Sequence, residues 1–254
     1  MSVEWAKLKA SELRDLAARD AIVILPIAAM EQHGPHLPVM VDTLLCSEIA
    51  RRAAERANGA HPVVVAPPVW SGLSEHHMPF GGTFTLNFPI FCGLIECLCR
   101  SVMRHGFRRV LLLNGHGGNV AALRVVVDEL RHLDLKLATA TCWMVDPLAM
   151  AEELETQGNV QHACEAETSM VMALHPELVD EGLFQAARHV VKGQVAGGAE
   201  AVYSAMRFEE RTPTGVIGDP TAASAEKGER LLEASANAIG RVLSDDARWA
   251  MPNA

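Results

Sequence analysis

Short, wholly apolar runs alternate along this chain with segments of helical periodicity, and this alternation constrains the fold most strongly. The apolar runs predict buried strands at residues 21–27, 63–66, 109–113 and 137–142. Apolar residues at helical spacing predict helices at residues 43–57, 89–105, 120–133, 165–174 and 222–243. Strands that are apolar throughout are typical of parallel sheets with helices on both faces. We therefore predict an α/β fold with three layers, α/β/α, around a mostly parallel central sheet.

Length and charge narrow the class of protein further. A chain of 254 residues fits one large α/β domain, so residues 1–254 are predicted to form a single domain. The stretch 190–220 is rich in Gly and Thr, lacks periodicity and predicts a long loop. A formal net charge of −9 without a basic run argues against a nucleic-acid partner, because phosphate binding needs clustered Lys and Arg. Neither a signal peptide nor a membrane span is predicted, which favours a cytoplasmic protein.

A dense group of polar side chains follows the first predicted strand. Glu31 and His33 point to the same side of an extended segment, and Asp42 follows where the next helix starts. Two carboxylates and one imidazole suit Zn²⁺, Mn²⁺ or Fe²⁺. In the structural alternative, Asp42 caps the helix and His33 is an ordinary loop histidine. Because all three lie together at a strand end, we favour the metal site.

A second polar junction, Asn-Gly-His-Gly-Gly-Asn at residues 114–119, follows the strand that ends at residue 113. Three glycines around His116 let the backbone turn sharply and approach a ligand closely. The alternative is a Gly-rich turn with an incidental histidine; the phosphate-binding P-loop and the dinucleotide-binding pattern are both missing. Paired with the first junction, His116 provides a fourth ligand.

The third junction is Gln-His-Ala-Cys-Glu-Ala-Glu-Thr-Ser at residues 161–169. His162 lies just before or within the first turn of a helix, where Glu165 is placed to share its face. A histidine beside a metal acts as a general acid or base, and a carboxylate there binds metal or holds a water. Alternatively, His162 and Glu165 cap the helix, and the helix dipole favours Glu167.

Four further residues are candidates for the wall of a substrate pocket. His77 lies in the sequence Ser-Glu-His-His-Met-Pro-Phe-Gly-Gly-Thr at residues 74–83, which suits a substrate loop as well as a metal site. Trp143 follows the last predicted strand, although a core or surface role is commoner for a tryptophan. Gly117 and Gly118, next to His116, complete the set.

With these three junctions assembled, the sequence resembles the creatininase family, the creatinine amidohydrolases and their relatives, over nearly the whole chain. The shared motifs are Leu-Pro at 25–26, Glu-Gln-His-Gly-Pro-His-Leu-Pro at 31–38, Asp-Thr at 42–43, Asn-Gly-His-Gly-Gly-Asn at 114–119, Glu-Thr-Ser at 167–169, Gly-Asp-Pro at 218–220 and Glu-Lys-Gly at 226–228. The resemblance implies a binuclear metal hydrolase on a three-layer α/β fold. It also implies a substrate with a cyclic amide or another carbon–nitrogen bond that is not an ordinary peptide.

The resemblance assigns roles by matching position. It implies that Glu31, Asp42 and His116 bind one metal ion. It implies that His33 and Asp42 bind a second ion, with Asp42 as the bridge. His162 matches the histidine that carries a proton during ring opening. The resemblance also implies a homo-oligomer, a hexamer.

One departure from the family lies within the presumed metal site. Where creatininase carries a glutamate that binds the second metal, this chain has Gly118. Glu165 and Glu167 are the candidate replacements; we assign Glu167 to the metal, and Glu165 together with His162 to catalysis. The departures favour a relative with Gly-His-Gly-Gly over a true creatininase. Such relatives include a deformylase of opened purine rings and a processing peptidase of a redox-cofactor pathway.

The function predicted from the sequence is metal-dependent hydrolysis of a small molecule, a cyclic amide or a formamide, by a metal-activated water. Two divalent ions per subunit, of Zn, Mn or Fe, are expected. One alternative is a lactone or cyclic 1,3-diketone hydrolase, because the same activated water attacks either carbonyl. Another alternative is a metal-containing binding protein without turnover, for which the loss of the glutamate at Gly118 is the main support.

Overall fold

The central sheet of this protein is parallel throughout its described part. The computed structural model describes residues 2–57, 59–191 and 206–251. Its strands are β1 (Ile22–Ile27), β2 (Val63–Val65), β3 (Arg109–Asn114) and β4 (Lys136–Thr141). They form a four-stranded sheet in the order β2-β1-β3-β4, in which every neighbouring pair is parallel. The sheet predicted from the apolar runs is therefore confirmed.

Helices connect and flank the strands. Those of the described residues are α1 (Ala10–Ala18), α2 (Val41–Arg56), α3 (Phe88–Arg104), α4 (Val120–Glu129), α5 (Pro147–Glu152), α6 (Glu165–Leu174), α7 (Phe184–Ala187), α8 (Phe208–Arg211), α9 (Ala225–Leu243) and α10 (Asp246–Trp249). Among the described helices, none is both long and apolar enough to cross a membrane.

Alternate side chains of β1 enter two separate hydrophobic clusters, one on each face of the sheet. Ile22 and Ile24 pack with side chains of α2, α6 and α9, whereas Val23 and Leu25 pack with side chains of α1, α3 and α4. All four side chains are at most 3% exposed. Burying a side chain of this kind contributes about 1.5–3 kcal/mol relative to leaving it exposed. Helices therefore cover both faces of the sheet, which confirms the three-layer α/β/α arrangement.

The start of the last long helix differs by a few residues from the prediction, because hydrogen bonds of capping side chains determine where it begins. α9 begins at Ala225 rather than at the predicted residue 222. The chain first forms a separate 3-10 turn, Pro220–Ala222, whose N-terminus is capped by the side chain of Asp219. Ser224 then caps α9 itself, because its hydroxyl accepts a hydrogen bond from the backbone of the first turn.

Five helices, α1, α5, α7, α8 and α10, lie where the sequence predicted none. Each has nine residues or fewer, which is too short for an apolar repeat to establish itself. The stretch 190–220, predicted to be a long loop, contains the one-turn helix α8, so the loop prediction is wrong for those four residues. Residues 192–205 of that stretch lie outside the described residues.

Candidate metal centre

The segments that follow β1 and β3 leave the sheet at the same edge, because the two strands are parallel neighbours. After β1 the chain folds back: the N–H of Glu31 donates to the Val39 carbonyl (3.0 Å), and α2 then places Asp42 in its first turn. Gly34 permits the reversal, since its φ is +68° and a Cβ there would lie 2.4 Å from Val216 Cγ2. The reversal brings Glu31 and Asp42 together, and both are buried.

The loop after β3 is fixed by Asn114. Its side chain donates to the carbonyl oxygen of His116 (2.8 Å) and accepts from the N–H of the same residue (3.1 Å). Gly115 packs so closely on α2 that a Cβ there would lie 2.5 Å from Cys46 Cβ. The glycine therefore lets the loop bring His116 against the first turn of α2.

Glu31, Asp42 and His116 form the first group of candidate ligands. His116 Nδ1 lies 3.2 Å from Glu31 Oε2 and 3.0 Å from Asp42 Oδ2. The other ring nitrogen, Nε2, donates to the Leu73 carbonyl (3.1 Å), which leaves Nδ1 for the carboxylates or for a cation between them. Burial lowers the pKa of His116, but the charges of Glu31 and Asp42 outweigh it and hold the pKa well above its usual value. The same negative field attracts a divalent cation.

His33, Asp42 and Glu167 form the second group. His33 Nδ1 donates to the backbone carbonyl of Glu31 (3.0 Å), so that Nε2 faces Asp42 Oδ1 at 3.1 Å and Glu167 Oε2 at 3.9 Å. Burial lowers the pKa of His33, but Asp42 outweighs it and raises the pKa to about 9. Burial also raises the pKa of the Glu167 carboxyl to about 7. Asp42 thus offers one oxygen to each group.

Two buried carboxylate oxygens at this centre, Glu31 Oε2 and Asp42 Oδ2, have no hydrogen-bond partner among the described residues. A buried charged oxygen without a hydrogen bond is costly even with an imidazole nitrogen nearby, and a cation compensates for that cost. The ligand atoms of each group lie within 4.8 Å of one another. Carboxylate oxygens and imidazole nitrogens suit Zn²⁺, Mn²⁺ and Fe²⁺. The donor set therefore fits divalent metal ions, and Asp42 belongs to both of the groups described here.

The amide of Gln32 fixes the tautomer of His77. Gln32 Oε1 accepts from the N–H of Gly34 (2.9 Å), so the amide nitrogen is the atom that donates to the Gly215 carbonyl (3.1 Å) and to His77 Nδ1 (2.8 Å). His77 therefore carries its proton on Nε2, which faces Glu31 Oε1 at 3.2 Å. Because burial lowers the pKa of His77 to about 2, this imidazole is neutral. The structure thus places His77 within the centre, beside Glu31.

His162 is anchored by the backbone of Gln32. Its Nε2 donates to the Gln32 carbonyl (2.8 Å), while its Nδ1 lies 3.6 Å from Glu31 Oε1. Burial holds the pKa of His162 well below its usual value, so that the ring is neutral and Nδ1 is unprotonated. A neutral imidazole at this position is equipped to act as a general base.

Phe208 contacts two histidines of the candidate site, and the sequence analysis did not identify it. Its ring lies 4.2 Å from that of His77 and 5.1 Å from that of His162, measured between centroids, and the residue is 4% exposed. Phe208 begins α8, inside the stretch that lacks any sequence periodicity. No local signal identified it, since its partners are far away in the sequence.

The structure does not bring Glu165 into the candidate ligand groups found among the described residues. Its carboxylate pairs with the ammonium of Lys227 and accepts from the hydroxyl (2.5 Å) and the N–H (2.8 Å) of Thr156. Burial raises the pKa of Glu165, but Lys227 and Thr156 outweigh it and lower the pKa below its usual value. The catalytic role of Glu165 stays a prediction that these contacts do not support.

The two glycines after His116 differ in the space around them. A Cβ at Gly118 would lie 2.3 Å from the Leu73 carbonyl oxygen and 2.4 Å from His116 Nε2, whereas a Cβ at Gly117 would meet nothing within 4 Å. A side chain at position 118 would therefore displace the hydrogen bond that orients His116. This packing gives a physical reason for the missing glutamate, and Glu167 supplies a carboxylate to the second group instead.

Trp143 lies beside the centre and is half-buried. It packs against the hydrophobic cluster under the sheet and, with Asp42 and Glu167, lines a cavity of about 20 Å³. A cavity of that size is large enough for one water molecule. Its predicted role in a substrate pocket stays a prediction.

Comparisons with known proteins cover nearly all of the chain. The profile of the creatininase family, described as creatinine amidohydrolase, matches residues 6–243. A mycofactocin precursor peptide peptidase of Mycobacterium ulcerans (strain Agy99) is 32% identical over 89% of this chain and 85% of its own length. Creatinine amidohydrolase of Pseudomonas putida is 31% identical over 91% and 92%, respectively. The solved structure described as creatininase Mn has a TM-score of 0.77 at 29% identity, over 97% of this chain and 99% of that one.

The family expected from the sequence motifs is thereby confirmed. The sequence similarity extends over the strands, the loops after β1 and β3, and α6, and so over the two ligand groups that share Asp42. The fold similarity extends over the same elements. The chain therefore belongs to the creatininase family of amidohydrolases.

Proposed function

We propose that this family member hydrolyses a carbon–nitrogen bond outside ordinary peptides, in a cyclic amide or a formamide. The observation that carries the proposal is the position of Asp42, whose two oxygens face His33 Nε2 at 3.1 Å and His116 Nδ1 at 3.0 Å in a buried cluster. The similarity to the Pseudomonas putida creatinine amidohydrolase supports a cyclic amide as substrate. Assembly as a homo-oligomer, expected from the family resemblance, stays a prediction.

Two divalent ions, of Zn, Mn or Fe, complete the proposed centre. The residues that would hold them are Glu31, Asp42 and His116 for one ion, and His33, Asp42 and Glu167 for the other. When bound, such ions lower the pKa of a water molecule towards neutrality and polarise a carbonyl group. The protein fixes the orientation of each imidazole with a backbone carbonyl: Leu73 for His116, and Glu31 for His33.

His162 is the proton carrier in this proposal. Its Nε2 is committed to the Gln32 carbonyl, so Nδ1 is the atom that accepts a proton from the attacking water and passes it to the leaving nitrogen. The edge-on ring of Phe208, 5.1 Å from the His162 ring between centroids, shields the imidazole from bulk water. Shielding keeps the histidine neutral before the reaction.

A substrate panel with one catalytic variant tests the proposal. The panel contains creatinine, an N-formyl compound, a lactone and a cyclic 1,3-diketone, each tested with metal-loaded protein. We expect turnover of an amide, and a fall in kcat of about 10²–10⁴ in His162→Gln with the metal content unchanged. The control is His175→Gln, since this histidine has a 44% exposed side chain and pairs only with Glu177 in the described contacts.

Each outcome separates the proposal from its alternatives. Turnover of the lactone or the diketone without any amide favours the alternative with the same metal site. Retained metal without turnover of any compound favours a binding protein. Unchanged kcat in His162→Gln contradicts the role of this histidine.

A further inference from the structure

The two carboxylate oxygens of Glu31 have different neighbours. Oε2 lies 3.2 Å from His116 Nδ1, whereas Oε1 lies 3.2 Å from His77 Nε2. His77 lies in the 3-10 turn Glu75–Phe80 and belongs to none of the candidate ligand groups found among the described residues. Its buried ring nevertheless contacts a candidate ligand, which points to a function other than metal binding.

The hydrogen atom between His77 and Glu31 belongs to the imidazole. Gln32 Nε2 donates to His77 Nδ1 (2.8 Å), which leaves the ring proton on Nε2. The backbone N–H of Gly34 fixes the orientation of that amide, since it donates to Gln32 Oε1 (2.9 Å). A chain of hydrogen bonds thus leads from the backbone of Gly34 to the carboxylate of Glu31.

The packing around His77 restricts the movement of its ring. Three other rings surround it, with centroid distances of 4.2 Å to Phe208, 4.2 Å to His76 and 4.4 Å to His162. The backbone N–H of His77 donates to the Ser74 carbonyl (2.9 Å). Because the backbone and the ring are both held, the Nε2–H group keeps its direction towards Glu31.

Gly215 makes room for the amide of Gln32. Its carbonyl accepts from Gln32 Nε2 (3.1 Å), and its φ is +78°. A Cβ at this position would overlap Gln32 Oε1, so a glycine is required there. The amide that orients His77 therefore depends on a residue far along the chain, which can be changed without touching a metal ligand.

We propose that His77 is a positioning residue: it holds Glu31 Oε1, so that Oε2 faces His116 and the metal ion of the first group. Glu31 Oε2 is buried and has no hydrogen-bond partner among the described residues, as expected for an oxygen that binds a cation. Removing a hydrogen bond to a metal-ligating side chain typically lowers metal affinity about 10–100-fold. The inference rests on the metal centre of the proposed function but not on the identity of the substrate.

A Zn²⁺ titration of the metal-stripped full chain, in competition with a chromophoric chelator, tests the proposal with two matched variants. The amide of His77→Gln reaches the position of Nε2 and still donates to Glu31, whereas the amide of His77→Asn reaches only the position of Nδ1. A third variant, Gly215→Ala, displaces the Gln32 amide. His175→Gln, at an exposed histidine, is the control. Circular dichroism checks that each variant is folded.

We expect the wild type to bind about two equivalents, and His77→Asn to weaken one of them about 10–100-fold while the other is unchanged. Gly215→Ala should weaken the same equivalent. His77→Gln and His175→Gln should stay within about threefold of the wild type.

Unchanged or tighter binding in His77→Asn overturns the proposal. That result is expected if Glu31 Oε1 binds a metal ion with His33 and His162, which form a third candidate group. Equal weakening in His77→Gln and His77→Asn also overturns it, because the loss would then come from packing. The expected affinities without turnover of any amide would support the positioning role and contradict only the proposed reaction.

Discussion

Asp42 is the residue shared by the two candidate ligand groups around His33 and His116. It stands in the first turn of α2, close to both junction loops, and each of its oxygens faces a different histidine. His33 and His116 come from loops that follow different strands. The Asp42 carboxylate on α2 thus contacts a histidine from each of two loops. These contacts lie at the edge of the sheet where the parallel strands end.

The absence of a side chain at Gly118 also matters for the candidate ligands. A Cβ there would press on the Leu73 carbonyl oxygen and on His116 Nε2, whose hydrogen bond orients His116. We expect Gly118→Ala to destabilise the protein by about 1–3 kcal/mol, the usual cost of overpacking, and to lower its metal content. The measurements are thermal unfolding and elemental analysis of the purified variant. Gly117→Ala is the matched control, because its added methyl group meets nothing within 4 Å. Equal stability and metal content in both variants would count against this explanation.

The sequence analysis assigned five candidate ligands, but for one of them, Glu167, the local pattern gave no ground for preferring it to Glu165. The other four lie in the segments that follow β1 and β3 or at the start of the next helix, where side chains converge in a parallel sheet. The two glutamates are only two residues apart in the first turn of α6. Lys227, which pairs with Glu165, lies on α9 more than sixty residues away, so local pattern carries no information on which carboxylate is taken.

At the scale of elements, α6 and α9 are joined by a buried ion pair between Glu165 and Lys227. Lys227 also reaches Glu155 (2.9 Å), whose side chain is 73% exposed, so one ammonium serves a buried and an exposed carboxylate. Removing one partner of a buried pair leaves the other charge uncompensated. The position of α6, and with it Glu167, therefore depends on this contact.

We expect Glu165→Gln to lower the free energy of unfolding by about 3 kcal/mol, because it leaves the Lys227 ammonium buried without its closest partner. Glu155→Gln is the control and should cost about 0–1 kcal/mol, as for other exposed pairs. Denaturant unfolding of both variants measures the difference. Kinetics well below the unfolding temperature should show that Glu165→Gln keeps its kcat; a loss of kcat with unchanged stability would instead support the predicted catalytic role.

The same pair gives the protein a pH dependence with a definite sign. Lys227 lowers the pKa of Glu165 in the folded state, against the opposing effect of burial. A carboxyl group whose pKa is lower in the folded state stabilises the fold above its unfolded pKa. That contribution is lost as the pH falls through the folded pKa. The difference in stability between wild type and Glu165→Gln should therefore shrink in acid.

At the scale of the whole molecule, the sheet was predictable and the closure of the site was not. Buried parallel strands are apolar throughout, so the order of apolar runs and helices already indicates the layers. The contacts that enclose His162 join residues far apart in the chain: Gln32 is 130 positions away, and Phe208 comes from a short helix without periodicity. Such contacts arise only when the sheet brings its loops to one edge.

The number of metal ions at this centre is measured by inductively coupled plasma mass spectrometry of the purified, metal-loaded protein, for wild type, Glu167→Gln and Asp42→Asn. Two ligand groups that share Asp42 predict about two equivalents of Zn, Mn or Fe in the wild type, about one in Glu167→Gln and almost none in Asp42→Asn. No metal in the wild type under any loading condition would contradict the account, and so would two equivalents retained in Asp42→Asn.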